Sequence, residues 1–281
     1  MDSSKLLGIT TFIYLFSSLI YMTMFIFKVK KIGLLATVVT IIGFLINTAG
    51  IGMRWLESYQ MGPGMGHAPL SNMYESLVFF AWSIIILYLV VEFIYKNKII
   101  GAFAVPFAFA SMAYASLSPE FSTAITPLVP ALQSNWLIAH VFTCFIGYAA
   151  FAVACGTGIM YLVKSRDKGD SPDSLLSTLP SLKVIDDITH KVILFGFIWL
   201  SGGIISGAVW ANSAWGTYWS WDPKETWSLI TWFIYASALH ARFTRGWGGK
   251  RIAWISIIGF LAVVFTYYGV NFLLSGLHSY G

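Results

Sequence analysis

Charged residues are scarce in this sequence. Asp, Glu, Lys and Arg together make up 10% of its 281 residues, whereas hydrophobic residues make up 57%. A soluble domain uses about 25% charged residues to cover its surface. The composition therefore excludes an ordinary soluble protein, because most of this surface must face something other than water.

Cysteines and common catalytic signatures are also rare or missing. Cys144 and Cys155 lie in one apolar segment, where a helix would separate them by roughly 16 Å along its axis, too far for a disulfide. We interpret both as small buried hydrophobic residues. The sequence has no phosphate-binding Gly-rich loop after a strand, no Gly-X-Ser-X-Gly and no His-Glu-X-X-His. The first apolar run lacks the flanks of a signal peptide, so we expect it to be a membrane span.

Apolar runs of about 20 residues, the length that crosses a bilayer as a helix, recur along the whole chain. They predict an all-α integral membrane protein that forms one polytopic domain over residues 1–281. We predict eight transmembrane helices, approximately at residues 6–27, 32–53, 73–95, 99–117, 136–163, 187–210, 226–244 and 253–275.

The basic residues orient these spans. The net charge of +5 does not indicate nucleic-acid binding, because the positive residues sit at the ends of the apolar runs. With eight spans, three basic residues fall on one side of the membrane: Lys5, Arg54 and Lys224. The other fourteen fall on the opposite side: Lys28, Lys30, Lys31, Lys96, Lys98, Lys164, Arg166, Lys168, Lys183, Lys191, Arg242, Arg245, Lys250 and Arg251. The positive-inside rule makes the second side cytoplasmic and places both termini on the extracytoplasmic side.

An outer segment at residues 210–232 is unusually rich in tryptophan. It contains Trp210, Trp215, Trp219, Trp221, Trp227 and Trp232. An interfacial belt explains one or two tryptophans per helix end, so the segment is either a dense belt or a platform for a flat, apolar, conjugated ligand. Trp215 and Trp219 are four residues apart, which would place them on one face of a helix. Asp222, Pro223 and Glu225 predict a capped start for the seventh span.

Two histidines are predicted at the same membrane surface as the tryptophans. His140 lies near the outer end of the fifth span and His278 just beyond the eighth. Either one alone is typical of an interfacial histidine, but together with an aromatic platform they favour two axial ligands of a haem iron. His240 lies late in the seventh span, where an ionisable residue is either functional or a satisfied buried histidine near the inner boundary. We expect His67 and His190 not to be ligands.

The run from Trp215 to Trp227, which reads Trp-Gly-Thr-Tyr-Trp-Ser-Trp-Asp-Pro-Lys-Glu-Thr-Trp, resembles the WWD motif of haem-handling cytochrome c assembly proteins. The span count, the stretch at 68–76 and the histidines are most similar to the CcsA (ResC) family of the system II pathway. The resemblance implies that haem b is held by motif residues and by iron ligands. The motif residues are Trp215, Gly216, Trp219, Trp221, Asp222 and Trp227, and the ligands are His140 and His278 outside and His240 within the membrane.

The function implied by this resemblance is that of a haem-handling subunit of a cytochrome c synthase. Such a protein delivers haem b to the outer membrane face and presents it to an apocytochrome with a Cys-X-X-Cys-His segment. The partner implied is CcsB (ResB), which would complete the inner site at His240 within a holocytochrome c synthase complex. The location implied is the bacterial cytoplasmic membrane, or the thylakoid membrane for a plastid-encoded chain.

Three other functions remain open at the level of sequence. One is a purely structural scaffold subunit, which would not need outward-facing histidines near the tryptophans. A CcmC-like protein would pass haem to a chaperone, although the span count and the deep His240 favour CcsA. A membrane transporter without haem would carry polar or charged residues at the midplane, where this chain is nearly all apolar.

Overall fold

The computed structural model describes residues 2–167, 174–274 and 276, and these residues form helices and connecting segments without a strand. The long helices are α1 (Ser3–Ile26), α2 (Gly33–Tyr59), α3 (Met73–Tyr95), α4 (Gly101–Leu117), α5 (Asn135–Lys164), α6 (Leu182–Trp215), α7 (Pro223–Arg245) and α8 (Lys250–Val264). After α8 the chain continues through a π turn (Phe265–Gly269) into a short α9 (Val270–Leu273). Short 3₁₀ turns lie at Lys30–Ile32, Lys98–Ile100, Pro130–Leu132 and Leu175–Thr178.

Each predicted span falls on one of these helices, which confirms the all-α membrane fold. Within the described part of the chain, seven helices are long and apolar enough to cross a membrane. The remaining predicted span is α7, which has 23 residues but is less apolar. It nevertheless runs beside α6 for most of its length, because Arg242 bonds Asp186 near the start of α6 and Trp232 bonds Ser201 farther along.

Neighbouring helices in the chain run antiparallel. Ser3 contacts Glu57 and Tyr21 contacts Thr37, so α1 and α2 run in opposite directions. The same alternation continues to α8, which places the starts of α1, α3, α5 and α7 at one end of the bundle. We name this end the aromatic end, because Trp210, Trp215, Trp219 and Trp221 lie there, and the opposite end the basic end.

The predicted separation of charge is present in the fold. Thirteen of the fourteen basic residues assigned to the cytoplasmic side lie in or near the connections at the basic end. The fourteenth, Lys168, lies outside the described residues. Lys5, Arg54 and Lys224 lie toward the aromatic end.

Helix α5 is the packing centre of the bundle. A side chain on Gly156 would collide with the carbonyl oxygen of Phe103 in α4, and one on Gly147 would lie 3.0 Å from the backbone nitrogen of Leu200 in α6. Small residues let membrane helices approach closely where there is no hydrophobic drive between them. This close packing fixes where α5 presents His140 to α6.

The predicted helical face formed by Trp215 and Trp219 is wrong. Helix α6 ends at Trp215. The next residue, Gly216, adopts φ 78°, and its backbone N–H donates to the carbonyl oxygen of Asn212. Helices commonly end at a residue in the left-handed conformation, and this residue is usually glycine because a residue with a Cβ is strained there. Trp219 therefore lies in the connection between α6 and α7.

Candidate functional site

A cavity opens among the helices at the aromatic end. Its walls come from α3 and the residues that precede it, from the turn at Pro130–Leu132 and α5, from α6, the α6–α7 connection and the start of α7, and from the π turn and α9. The wall is largely apolar and aromatic, and its polar side chains are few: Ser71, Asn72, Ser76, His140, Lys224, Glu225, Ser228, Thr266 and Asn271. A concave apolar site with a few convergent polar groups is the usual form of a ligand site.

His140 is held in one orientation in this wall. Its ring atom Nδ1 lies 2.8 Å from the carbonyl oxygen of Gly203 in α6. A carbonyl oxygen can only accept, so Nδ1 carries the proton and donates it, and Nε2 keeps its lone pair. This is the tautomer that a metal-binding histidine needs, because its second nitrogen is usually fixed by a carbonyl or carboxylate.

Two further contacts fix the plane of the His140 ring. The indole of Trp210 stacks on it with 5.8 Å between ring centroids and 15° between planes. On the other helix, Gly207 leaves room for the ring, since a Cβ there would lie 2.5 Å from Nδ1. Trp210 is itself anchored, because its Nε1 donates to the carbonyl oxygen of Ala131 at 2.9 Å.

Of the six tryptophans in the segment, Trp210 and Trp219 line the cavity, and Tyr218 joins them. Trp215 packs on Trp210 with 4.8 Å between centroids. Trp221 is 68% exposed and meets Trp219 edge to face at 5.7 Å. Trp227 packs instead against Phe265 of the π turn at 4.2 Å. The aromatic segment therefore forms a rim around the cavity rather than one continuous platform.

The predicted capping box at the start of α7 is present. An Asp222 carboxylate oxygen accepts the backbone N–H of Lys224 at 2.9 Å, and a Glu225 oxygen accepts the N–H of Asp222 at 3.1 Å. Glu225 also accepts the N–H of Ser220 at 2.8 Å. These bonds attach the connection that contains Trp219 and Trp221 to the start of α7.

Lys224 is a cavity residue that the sequence analysis had counted only among the basic residues of the extracytoplasmic side. Its side chain is half-buried in the wall, and Nζ donates to Oδ1 of Asn271 in α9 at 2.7 Å. The Asn271 amide nitrogen in turn lies 3.1 Å from the sulfur of Met73. The position of Lys224 directly after the Asp-Pro helix start could have indicated that its side chain lies in the site.

A buried ion pair supports the segment before α3. Nε of Arg54 lies 2.7 Å from a Glu75 oxygen, and the two side chains are 2% and 1% exposed. The other Glu75 oxygen accepts from the N–H of Ser71 at 2.9 Å and from its hydroxyl at 2.7 Å. Arg54 also donates to the carbonyl oxygen of Thr123 at 2.9 Å. The pair therefore ties the residue 68–76 stretch to the loop that precedes α5.

The other histidines lie apart from this cavity or outside the described residues. His240 is exposed on α7 toward the basic end. His190 contacts the ring of Phe243 there, with 5.6 Å between centroids. His67 is buried, with its ring nitrogens 3.1 Å and 3.2 Å from the carbonyl oxygens of Ala68 and Thr126, so it has no nitrogen to offer to a ligand. His278 lies outside the described residues.

Comparison with known proteins decides the family. The profile described as cytochrome C assembly protein matches residues 70–278. The cytochrome c biogenesis protein CcsA of Guillardia theta is 42% identical over 290 residues, which cover 96% of this chain and 94% of that protein. This chain belongs to the CcsA family. The CcsA protein of Synechococcus sp. strain CC9902 is 41% identical over 260 residues, with coverage of 84% and 83%.

A solved structure shares the fold. The cytochrome c haem lyase CcmF superposes with a TM-score of 0.68 at 15% identity, covering 95% of this chain and 47% of the CcmF chain. The CcsA-family chain thus spans about half the length of CcmF. All residues of the cavity wall, from Leu70 to Asn271, lie inside the range that matches the cytochrome c assembly family.

Proposed function

We propose that this CcsA-family protein binds haem in the cavity at the aromatic end and presents it there for covalent attachment to apocytochrome c. The observation that carries the proposal is the orientation of His140. Its Nδ1–H is committed to Gly203, so Nε2 is the free donor atom in an aromatic cavity. A neutral imidazole of this kind is a common axial ligand of haem iron.

The cavity residues suit the porphyrin ring of haem b as well as its iron. Haem is a flat, conjugated, largely apolar ring, and indole and phenol rings such as Trp219 and Tyr218 suit its faces and edges. Among the described residues no cluster of three or more His, Cys, Asp or Glu could hold a bare metal ion.

We propose His278 as the second iron ligand. It lies two positions after Gly276. Gly276 packs against Asp222, since a Cβ on Gly276 would collide with the Asp222 carboxylate. Asp222 caps the helix that carries Lys224 into the cavity wall. The last described part of the chain thus returns to the aromatic end, where His140 lies.

His240 fits a separate, inner site. It is exposed on the surface of α7, and its side chain has no hydrogen bond with the described residues. An ionisable residue on a membrane-facing surface favours a functional partner. We propose that a CcsB (ResB) subunit covers this face and completes an inner haem site, from which haem passes to the outer cavity.

The distribution of charge supports an orientation with the aromatic end outside. Thirteen described basic residues gather at the basic end, as cytoplasmic connections do. Both termini would then be extracytoplasmic, in a bacterial cytoplasmic membrane or, for a plastid-encoded chain, a thylakoid membrane. The cavity would open toward the compartment in which apocytochromes c are matured.

The chain's own contribution to the reaction is positioning. Haem supplies the vinyl groups, and the nucleophiles are cysteine thiolates of the apocytochrome, the reactive form of that side chain. His140 would hold the haem iron in the wall, and the aromatic rim would orient the ring. Fixing two reactants in an attack geometry is itself a large source of rate enhancement.

The proposal is tested by the visible spectrum of the full chain purified with its membrane partner from haem-replete cells. We expect a bis-histidine haem spectrum whose outer-site component is lost in the His140→Ala, His278→Ala double variant. The matched control is His190→Ala, which removes a histidine at the basic end and should leave that component unchanged. A colourless wild-type complex would contradict the proposal and would favour a transporter without haem.

A further inference from the structure

Lys224 brings a positive charge into the cavity, and the described residues supply no ion-pair partner for its ammonium group. Among the described residues, Nζ donates one hydrogen bond, to the neutral amide oxygen of Asn271 at 2.7 Å. No ion pair of Lys224 is present among residues 2–167, 174–274 and 276. An ammonium has three donor hydrogens, and one amide oxygen satisfies only one of them.

The two nearby carboxylates are engaged elsewhere. Asp222 accepts the backbone N–H of Lys224 rather than its ammonium. Glu225 accepts from the backbone of Ser220 and Asp222. Both acids therefore stabilise the start of α7, and that helix start directs the Lys224 side chain into the cavity wall.

A partly buried cation in an apolar wall is costly unless an anion binds it. The cavity is lined mainly by apolar and aromatic groups, so an anion there would meet less competition from water than at the surface. A carboxylate carries its negative charge on two acceptor oxygens, and its hydrogen bond to an ammonium is stronger than one between neutral groups. The arrangement is thus suited to a ligand that is apolar over most of its area and carries a carboxylate at one edge.

We propose that Lys224, held in place by Asn271, binds a carboxylate of the cavity's ligand, which for haem is a propionate. This inference rests on the proposed haem function and deepens it. With the iron on His140 and a propionate on Lys224, the propionate edge of the ring would be directed toward the start of α7. The vinyl-bearing edge would then face away from Lys224, so Lys224 would be a positioning residue that decides which edge of haem the apocytochrome meets.

The experiment compares two probes, iron protoporphyrin IX and its dimethyl ester, in which both propionates are blocked. The full complex is prepared from haem-depleted cells, and each probe is titrated while the Soret absorbance is recorded. We expect the wild type to bind the free acid on the order of 10- to 100-fold more tightly than the ester, as for a hydrogen bond to a charged group. Lys224→Met should abolish this preference, whereas Lys224→Arg should keep most of it.

The control is Lys5→Met, which removes an exposed lysine of the same end that pairs with Asp2. It should retain the full preference for the free acid. Equal affinity of the wild type for both probes, or an unchanged preference in Lys224→Met, would overturn the inference while leaving haem binding intact. A wild type that binds neither probe would overturn the proposed function together with the inference, so the two failures are distinguishable.

Discussion

His140 of α5 donates its Nδ1 proton to the carbonyl oxygen of Gly203 in α6 across 2.8 Å. The acceptor is a backbone atom inside a helix, so the orientation of the imidazole depends on how closely the two helices pack. Glycines on the facing side of α6 make that approach possible. The chemistry of the cavity is therefore linked to the packing of α5 on α6.

Gly207→Ala is expected to weaken haem binding about 10- to 100-fold, the usual cost of disturbing the group that orients a metal ligand. The added methyl would lie 2.5 Å from Nδ1 of His140 and would force the ring to move. Haem titration followed by absorbance measures the effect. Gly202→Ala is the matched control on the same helix, because its Cβ meets nothing within 4 Å. Equal affinities of the two variants would contradict this role of Gly207.

Arg54→Met is expected to lower the free energy of unfolding by about 3–5 kcal/mol, because it leaves the Glu75 carboxylate buried without its partner. Thermal unfolding in detergent measures the loss. The comparison is Lys191→Met, which breaks the pair with Asp187 whose side chains are 63% and 43% exposed. That surface pair should contribute little, because solvent screens its charges. A smaller effect for Arg54→Met than for Lys191→Met would show that the buried pair is not stabilising.

Asp222→Ala is expected to cost about 1 kcal/mol of stability through the lost helix cap. It should also weaken haem binding, because the cap holds the connection that carries Trp219 and Lys224. Asp222→Asn keeps an oxygen that can accept the Lys224 N–H and should retain most of both properties. If Asp222→Asn were as defective as Asp222→Ala, the negative charge rather than the cap would be the important feature.

The orientation of the bundle can be measured by thiol labelling in intact cells. Ser122→Cys lies exposed at the aromatic end and is expected to react with a membrane-impermeant maleimide. Lys31→Cys lies exposed at the basic end and should react only after the cells are permeabilised. Cys144 and Cys155 are both buried, so the unmodified chain provides a low background. The opposite labelling pattern would place the aromatic end in the cytoplasm.

Features that depend on local pattern were predictable from the sequence. The apolar runs gave the spans, and Asp222 with Glu225 gave the capping box, because both signals are contained within one helix. The positive-inside rule predicted that His140 and the tryptophans lie at the same end of the bundle, and the structure confirms this placement. The end of α6 was predicted five residues too early, because the apolar run stops at Trp210 while the backbone stays helical until Gly216.

Features that depend on contacts between distant segments were not predictable. Arg54 and Glu75 lie 21 positions apart on two helices, and nothing in either helix alone identifies the other as its partner. Lys224 and Asn271 are 47 positions apart, and their contact requires both the start of α7 and the π turn. The separate positions of Trp219 in the wall and Trp227 against Phe265 likewise follow from packing rather than from the motif.

The π turn at Phe265–Gly269 changes the phase of the last helix. A π turn accommodates one residue more than an α-helical turn, and one residue corresponds to about 100° of rotation. Without the extra residue, α9 would turn a different face toward the bundle, and Asn271 would point away from α7. A one-residue deletion in this turn would therefore remove the partner of Lys224 while changing neither side chain, so the spacing of the chain here is itself part of the site.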